Sequence, residues 1–294
     1  LENESMSKHT SYGIGGKVMA YITPYDIKDL IRIIKIINRN NLKFYFVGSG
    51  SNLLVNDKKI NAIIITPAKA LKSLTIKNNT INAESGVMLG RMVKEAIRHN
   101  LTGLESLVGV PGTLGGAIMM NAGAWGSEIS NYLISVDVIN TNGEIKTLYP
   151  EDIEFAYRQS SFKSNEFILS AKFELSKATK VEIEKKKLIA SKGRISSQPL
   201  RFRSAGSVFK NPHDKLAAGF LIDKAGLKGT RIGGAEISTH HANFFINNGN
   251  AKAIDIAKLI KLSRKKIYEK FGIMLELEIK TIGFESKDLY PHAI

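Results

Sequence analysis

Between positions 109 and 126 the chain reads Gly109-Val110-Pro111-Gly112-Thr113-Leu114-Gly115-Gly116-Ala117 and then, after three residues, Asn121-Ala122-Gly123-Ala124-Trp125-Gly126. Glycine at this density is ill suited to an ordinary helix or strand. It loses the most backbone freedom on ordering and has no side chain to pack. Such backbone can instead wrap closely around a flat, rigid ligand and offer it amides. A shorter loop, Gly48-Ser49-Gly50-Ser51-Asn52, has the closely spaced glycines and polar side chains that suit a diphosphate. A plain tight turn is an equally open reading of this loop alone. It matches neither common nucleotide loop. A Rossmann loop opens into a helix, whereas Leu53-Leu54-Val55 reads as a strand; a Walker loop requires Gly-Lys-Ser/Thr.

The pattern around these loops is mixed. Val18 to Ile22, Phe44 to Val47, Leu53 to Val55 and Ala62 to Ile65 read as strands. Thr23, Pro24 and Asp26 suit a helix N-terminus, and apolar spacing from Ile27 to Ile37 predicts a helix from Tyr25 to about Asn40. Met88 to His99 is an amphipathic helix. Leu133 to Asn140 and Glu144 to Leu148 form a hairpin about Asn142-Gly143. Phe167 to Leu175 alternates as a strand, and Val181 to Lys192 is a charged helix leading into a second region. There, Ala217 to Ala225 is a helix closed by Gly226. Ala253 to Phe271 is the longest helix, with Ile254, Ala257, Ile260, Ile267 and Phe271 buried, and Leu275 to Ile282 is the last strand. The class is α+β. The expected division is 1–178, with subdomains 1–60 and 61–178, followed by 179–294.

At 43% hydrophobic and 23% charged residues the 294-residue chain is not mainly disordered. The absence of cysteine excludes disulfides, thiolate metal sites and cysteine nucleophiles. No apolar run approaches the roughly 20 residues that span a bilayer, so membrane insertion is not expected. The acidic, polar start at Glu2 and Glu4 does not read as a signal peptide. A net charge of +15 favours polyanions, including phosphorylated small molecules. The densest basic cluster, Lys185 to Lys187 with Lys192 and Arg194, lacks the aromatic interleaving of a nucleic-acid groove. The histidines are scattered, at 9, 99, 213, 240, 241 and 292, so no metal site is expected.

The motifs, taken in order, resemble the UDP-N-acetylenolpyruvoylglucosamine reductase family. They are Tyr12-Gly13-Ile14-Gly15-Gly16, both glycine loops, Tyr157-Arg158-Gln159-Ser160, Ser204-Ala205-Gly206-Ser207-Val208-Phe209-Lys210-Asn211-Pro212, Ala217-Ala218-Gly219-Phe220-Leu221-Ile222-Asp223 and Leu275-Glu276-Leu277-Glu278-Ile279. The resemblance covers nearly the whole chain and is closer to the shorter subtype, which lacks an insertion near Arg158. His9 stands where the family commonly has asparagine, and Arg203 where it has proline.

The resemblance implies a vanillyl-alcohol-oxidase (PCMH) type FAD-binding fold and a smaller C-terminal substrate domain. It implies non-covalent FAD, with the diphosphate on Gly48, Ser49, Gly50, Ser51 and Asn52. Gly112, Thr113, Gly115, Gly116, Ala117, Asn121 and Gly123 would line the flavin. The implied reaction uses NADPH to reduce the enolpyruvyl ether of UDP-N-acetylglucosamine-enolpyruvate, giving UDP-N-acetylmuramate for peptidoglycan. Arg158 and Glu278 match the family's stabilisers of the intermediate, and Ser207 matches its proton donor. Glu276 is the rival to Glu278, and Lys210 is a local candidate for reprotonating Ser207. Tyr157, Arg194, Gln198, Lys210, Asn211 and His241 are substrate-binding candidates. A bacterial cytoplasmic monomer is expected. The alternatives are another flavin oxidoreductase of this fold, or a basic nucleic-acid-binding protein.

Overall fold

The computed structural model describes residues 1–291. The chain gathers into two compact units. One is built from Ala20–Ser49 and Ala62–Arg194. The other is built from Leu1–Met19, Gly50–Asn61 and the chain from Ile195 onward. The expected ranges kept the first two segments of this second unit with residues up to 178. Two contacts account for the different grouping. Leu53–Val55 pairs in parallel with Lys280–Ile282, and Tyr12, Ile14 and Leu54 share a core with Phe209, Phe245 and Ile260.

The first unit holds a five-stranded sheet in the order Ile145–Leu148, Leu133–Asn140, Glu166–Glu174, Thr80–Glu84, Leu74–Lys77. Every neighbouring pair is antiparallel. Asn142-Gly143 turns the first hairpin as predicted, with Gly143 at φ +79°. The Leu74–Glu84 hairpin was not foreseen. The helix Leu89–Arg98 buries Leu89, Met92, Val93 and Ala96, at i, i+3, i+4 and i+7. They join a core that includes Ile81, Val136, Ile168 and Phe173. Another helix, Ile27–Arg39, starts later than predicted. Its N-cap is Asp26, whose carboxylate accepts from Asp29 N at 2.8 Å.

The second unit has a three-stranded sheet in the order Arg231–Ile232, Ala235–Ile237, Phe245–Asn247. The helix Ala253–Phe271 has the predicted bounds and ends at Gly272 in the left-handed region, φ +69°. Of the residues expected on its inward face, Ala257, Ile260 and Ile267 are buried and Phe271 is half-buried, whereas Ile254 is exposed and Ile256 is buried in its place. Arg264 is buried on that same face. Its Nε and Nη1 each donate at 2.9 Å, to Leu275 O and Leu289 O, and its guanidinium lies 3.7 Å from the Tyr290 ring centroid. Burial pulls its pKa down. The last strand is only Lys280–Ile282. Upstream, Leu277 pairs with Phe209, and the chain bends at Glu278 and Ile279 before reaching Leu53.

Candidate functional site

Gly48 lies against the side chain of Thr113, so a Cβ there would overlap Thr113 Oγ1. This brings the start of the short loop onto the long one. Gly50, at φ +68°, packs on the His9 carbonyl. The main-chain N–H groups of Gly48, Ser49, Gly50 and Asn52 donate to no acceptor among the described residues, and the same holds for Gly112, Thr113 and Gly116. Gly50, Gly112 and Thr113 are buried. Buried main-chain donors without partners are rare in folded proteins, and runs of such amides form anion-binding nests. Within the unit that holds Gly48, Ser49, Gly112, Thr113 and Gly116, the chemistry of these donors fits a dinucleotide cofactor.

Not every predicted residue of these loops presents a donor. The density of glycine argued against a helix, yet Leu114–Met119 is one turn and a half of helix anchored by buried Leu114, Ala117 and Ile118. Its Gly115 is needed for close packing, since a Cβ there would sit 2.9 Å from Ser85 Cβ. Gly115 N donates to Ser85 O at 2.9 Å, and Ala117 N to Thr113 O at 2.9 Å. The Asn52 side chain turns back into the protein and donates to Glu278 O at 3.1 Å. Asn121 is fully buried, and its amide donates to Glu128 Oε2 at 2.6 Å and Ala156 O at 3.1 Å. It is a brace within the protein.

That brace holds Arg158. Tyr157 and Arg158 form the tip of a tight hairpin between Phe155–Ala156 and Gln159–Ser160. Arg158 has φ +56°, a left-handed conformation that costs an L-residue roughly 1 kcal/mol or more. The surroundings enforce it. Ser160 Oγ donates to Met119 O at 2.7 Å, Asn121 holds Ala156, and Arg158 Nη2 donates to Gly123 O at 2.7 Å. The guanidinium carbon lies 4.8 Å from the Tyr157 ring centroid.

In the second unit, Ser207 and Glu278 are brought near each other by backbone pairing. Glu278 N donates to Val208 O at 2.8 Å, and Lys210 N donates to Glu276 O at 2.9 Å. Ser207 itself bridges to Phe244. Its hydroxyl makes no hydrogen bond to the described residues. Asn243, which the sequence did not single out, clamps this segment. Its Oδ1 accepts from Phe209 N at 3.0 Å and its Nδ2 donates to Phe209 O at 2.8 Å, while its own carbonyl accepts from Val208 N at 2.8 Å. The available signal was a polar residue opening the apolar run Phe244-Phe245-Ile246. Glu276 is 70% exposed at its side chain and pairs with Lys210 Nζ at 2.7 Å. Glu278 is partly buried.

The remaining candidates are dispersed. Arg194 lies near Gly109, where a Cβ would be 3.0 Å from Arg194 Cδ; burial lowers its pKa. Gln198 follows the end of the helix Lys180–Ser197. Asn211 Oδ1 accepts from Ala218 N at 3.1 Å, at the start of the helix Ala218–Lys224. His241 is held neutral-leaning by burial, which lowers its pKa, and its Nδ1 accepts from Asn243 N at 3.2 Å. Arg203 packs over Gly13. Among the described residues no three His, Cys, Asp or Glu side chains cluster to hold a metal ion. His292 lies outside those residues.

Two families match the chain. An FAD binding domain matches residues 18–149, and the C-terminal domain of UDP-N-acetylenolpyruvoylglucosamine reductase matches residues 198–282. The UDP-N-acetylenolpyruvoylglucosamine reductase of Caldicellulosiruptor bescii is 44% identical over 295 residues, covering 99% of this chain and 93% of that protein. This chain belongs to the UDP-N-acetylenolpyruvoylglucosamine reductase family. The Alkaliphilus oremlandii member is 38% identical over 286 residues, covering 97% of this chain and 94% of its own. The crystal structure of the Thermus caldophilus reductase aligns with TM-score 0.82 and 32% identity, over 95% of this chain and 97% of that one. The resemblance and fold class expected from the sequence are thereby borne out, as is an FAD-binding region.

Proposed function

We propose that this chain is an NADPH-dependent reductase of the enolpyruvyl ether of UDP-N-acetylglucosamine-enolpyruvate, acting in peptidoglycan synthesis. The observation that carries this reading within the structure is the pair of buried, unpartnered N–H groups at Gly112 and Thr113. Those amides, with Gly48, Ser49 and Gly116, would hold the FAD diphosphate and the adjoining flavin edge. When bound and reduced by NADPH, FAD supplies the hydride that the enolpyruvyl carbon C3 requires.

The chain's residues then have three tasks. Hydride addition at C3 moves charge toward the substrate carboxylate. Arg158, a permanent cation with a planar donor fork, is suited to stabilise that charge. The enforced left-handed backbone supports this role, because strain of that kind persists only where surrounding structure over-determines it. Ser207 would deliver a proton to C2, and its hydroxyl is not committed elsewhere. Glu278 would assist at the carboxylate as an acid or through water. Lys210 is engaged by Glu276, so solvent is the better source for reprotonating Ser207. Tyr157, Arg194, Gln198, Asn211 and His241 are assigned to the nucleotide sugar. Asn52, Asn121 and Gly115 are assigned a supporting role, holding Glu278 and the flavin loop. We place the enzyme in the bacterial cytoplasm, as a monomer.

The test follows NADPH oxidation by flavin-loaded protein with and without the enolpyruvyl sugar. Turnover that depends on the sugar, with UDP-N-acetylmuramate as product, is expected. Sugar-independent turnover, or a protein that retains no flavin after incubation and dialysis, would overturn the reading.

A further inference from the structure

The helix Lys180–Ser197 carries a face with no partner among the described residues. Ile183 and Ala190 point inward and are buried, and Gly193 is covered by the Trp125 indole. These contacts fix the helix's rotation and turn the opposite face to solvent. Along that face run Val181, Lys185, Leu188 and Lys192, at i, i+4, i+7 and i+11. Val181 is 79% exposed, Leu188 52%, and the adjacent Ile189 59%. Lys180, Lys185 and Lys192 are exposed and have no acceptor among the described residues. The helix's acids are occupied. Glu182 takes Thr179 N and Oγ1 at 2.9 and 2.8 Å, and Glu184 pairs with Lys187 at 3.0 Å.

We infer that this face docks on an anionic lipid bilayer. Aliphatic side chains interleaved with uncommitted lysines match the interfacial zone of a membrane. The apolar groups enter the headgroup boundary, and the lysines extend along their stems to lipid phosphates. The net charge of +15 adds long-range attraction. A second copy of the chain fits less well, because Lys185 and Lys192 lie within the apolar stripe and would face their like. Nucleic acid fits less well too, since its grooves are read by arginines and stacking aromatics, and this stripe has neither. No helix among the described residues is long and apolar enough to cross a membrane, so the contact is peripheral.

The test is flotation of the full-length, flavin-loaded protein with vesicles of phosphatidylcholine alone or mixed with phosphatidylglycerol. Binding is expected only with phosphatidylglycerol and should weaken as salt rises. The double variant Lys185→Glu, Lys192→Glu should weaken it by about tenfold or more, given the attraction each lysine contributes near an anionic surface. Leu188→Ser with Ile189→Ser should weaken it as well. NADPH oxidation in solution, unchanged in both, verifies folding. The inference is overturned by failure to float with phosphatidylglycerol, equal binding to phosphatidylcholine, or no effect of the serine pair. Salt-resistant self-association through this helix, or displacement of the vesicles by an equal charge of duplex DNA, would also overturn it.

Discussion

Asn243→Asp exchanges one NH2 for an oxygen on a side chain that is 3% exposed. The bond from Phe209 N to Oδ1 survives. The 2.8 Å bond from Nδ2 to Phe209 O does not, and a carboxylate oxygen then faces a buried carbonyl. An unsatisfied buried acceptor costs about 1–3 kcal/mol, and repulsion puts the change near the upper end. At about 2–4 °C per kcal/mol for a domain of this size, a loss of about 3 kcal/mol lowers Tm by roughly 6–12 °C at pH 8. Protonation restores a donor toward Phe209 O, so the introduced carboxyl has a raised pKa in the folded state. At 1.36 kcal/mol per unit, that same loss corresponds to about two units above the unfolded value near 3.9. A raised folded pKa means that the folded state binds the extra proton. The deficit relative to the parent is therefore present in full above about pH 6 and shrinks as pH falls toward 4. Thermal denaturation followed by circular dichroism at pH 8 and pH 5, parent beside variant, measures both. An equal deficit at both pH values, or none at pH 8, would refute the clamp.

Gly48→Ala collides with Thr113 Oγ1 and should reduce retained flavin, read as the ratio of flavin to protein absorbance. A full complement would show that the contact relaxes freely. Ser207→Ala should leave flavin reduction by NADPH intact and slow the sugar-dependent half-reaction by on the order of 10²–10⁴; equal slowing of both halves in stopped flow counts against proton donation. Arg158→Lys keeps the charge but loses the fork, and kcat should fall by on the order of 10²–10³, an expectation that an unchanged kcat defeats. His241 has a pKa below 6.5 because of burial. Its contribution to stability is present above the unfolded value of about 6.5 and is lost as pH falls through the folded one. His241→Gln should flatten the slope of Tm against pH between 7 and 5, and an unaltered slope rules the residue out.

Where side-chain periodicity and turn chemistry decide the structure, the sequence was informative. Ala253–Phe271 has the predicted bounds, and Asn142-Gly143 turns the predicted hairpin. It was less informative where long-range contacts override local preference. The last strand is short because residues 277 and 278 pair with the Val208–Phe209 segment before Leu53 takes over. Arg264 was invisible as a core residue, since nothing local marks an arginine whose donors meet carbonyls 11 and 25 residues away. The glycine loops were legible as backbone that leaves main-chain donors unpaired among the described residues, those of Gly48 and Gly112 included. Which amides are already taken, as at Gly115, depends on Ser85, a neighbour that composition does not reveal.

The Asn52 amide joins a residue of the short glycine loop to the carbonyl of Glu278, 226 positions later in the chain. Lys280 N returns the tie to Asn52 O at 2.9 Å. Under the proposed function, the seat of the cofactor and the placement of the acid would share one mechanical linkage. On that reading an insertion near position 52 would re-aim the Glu278 carboxylate, and a change of length after Leu277 would loosen the loop proposed to seat the dinucleotide.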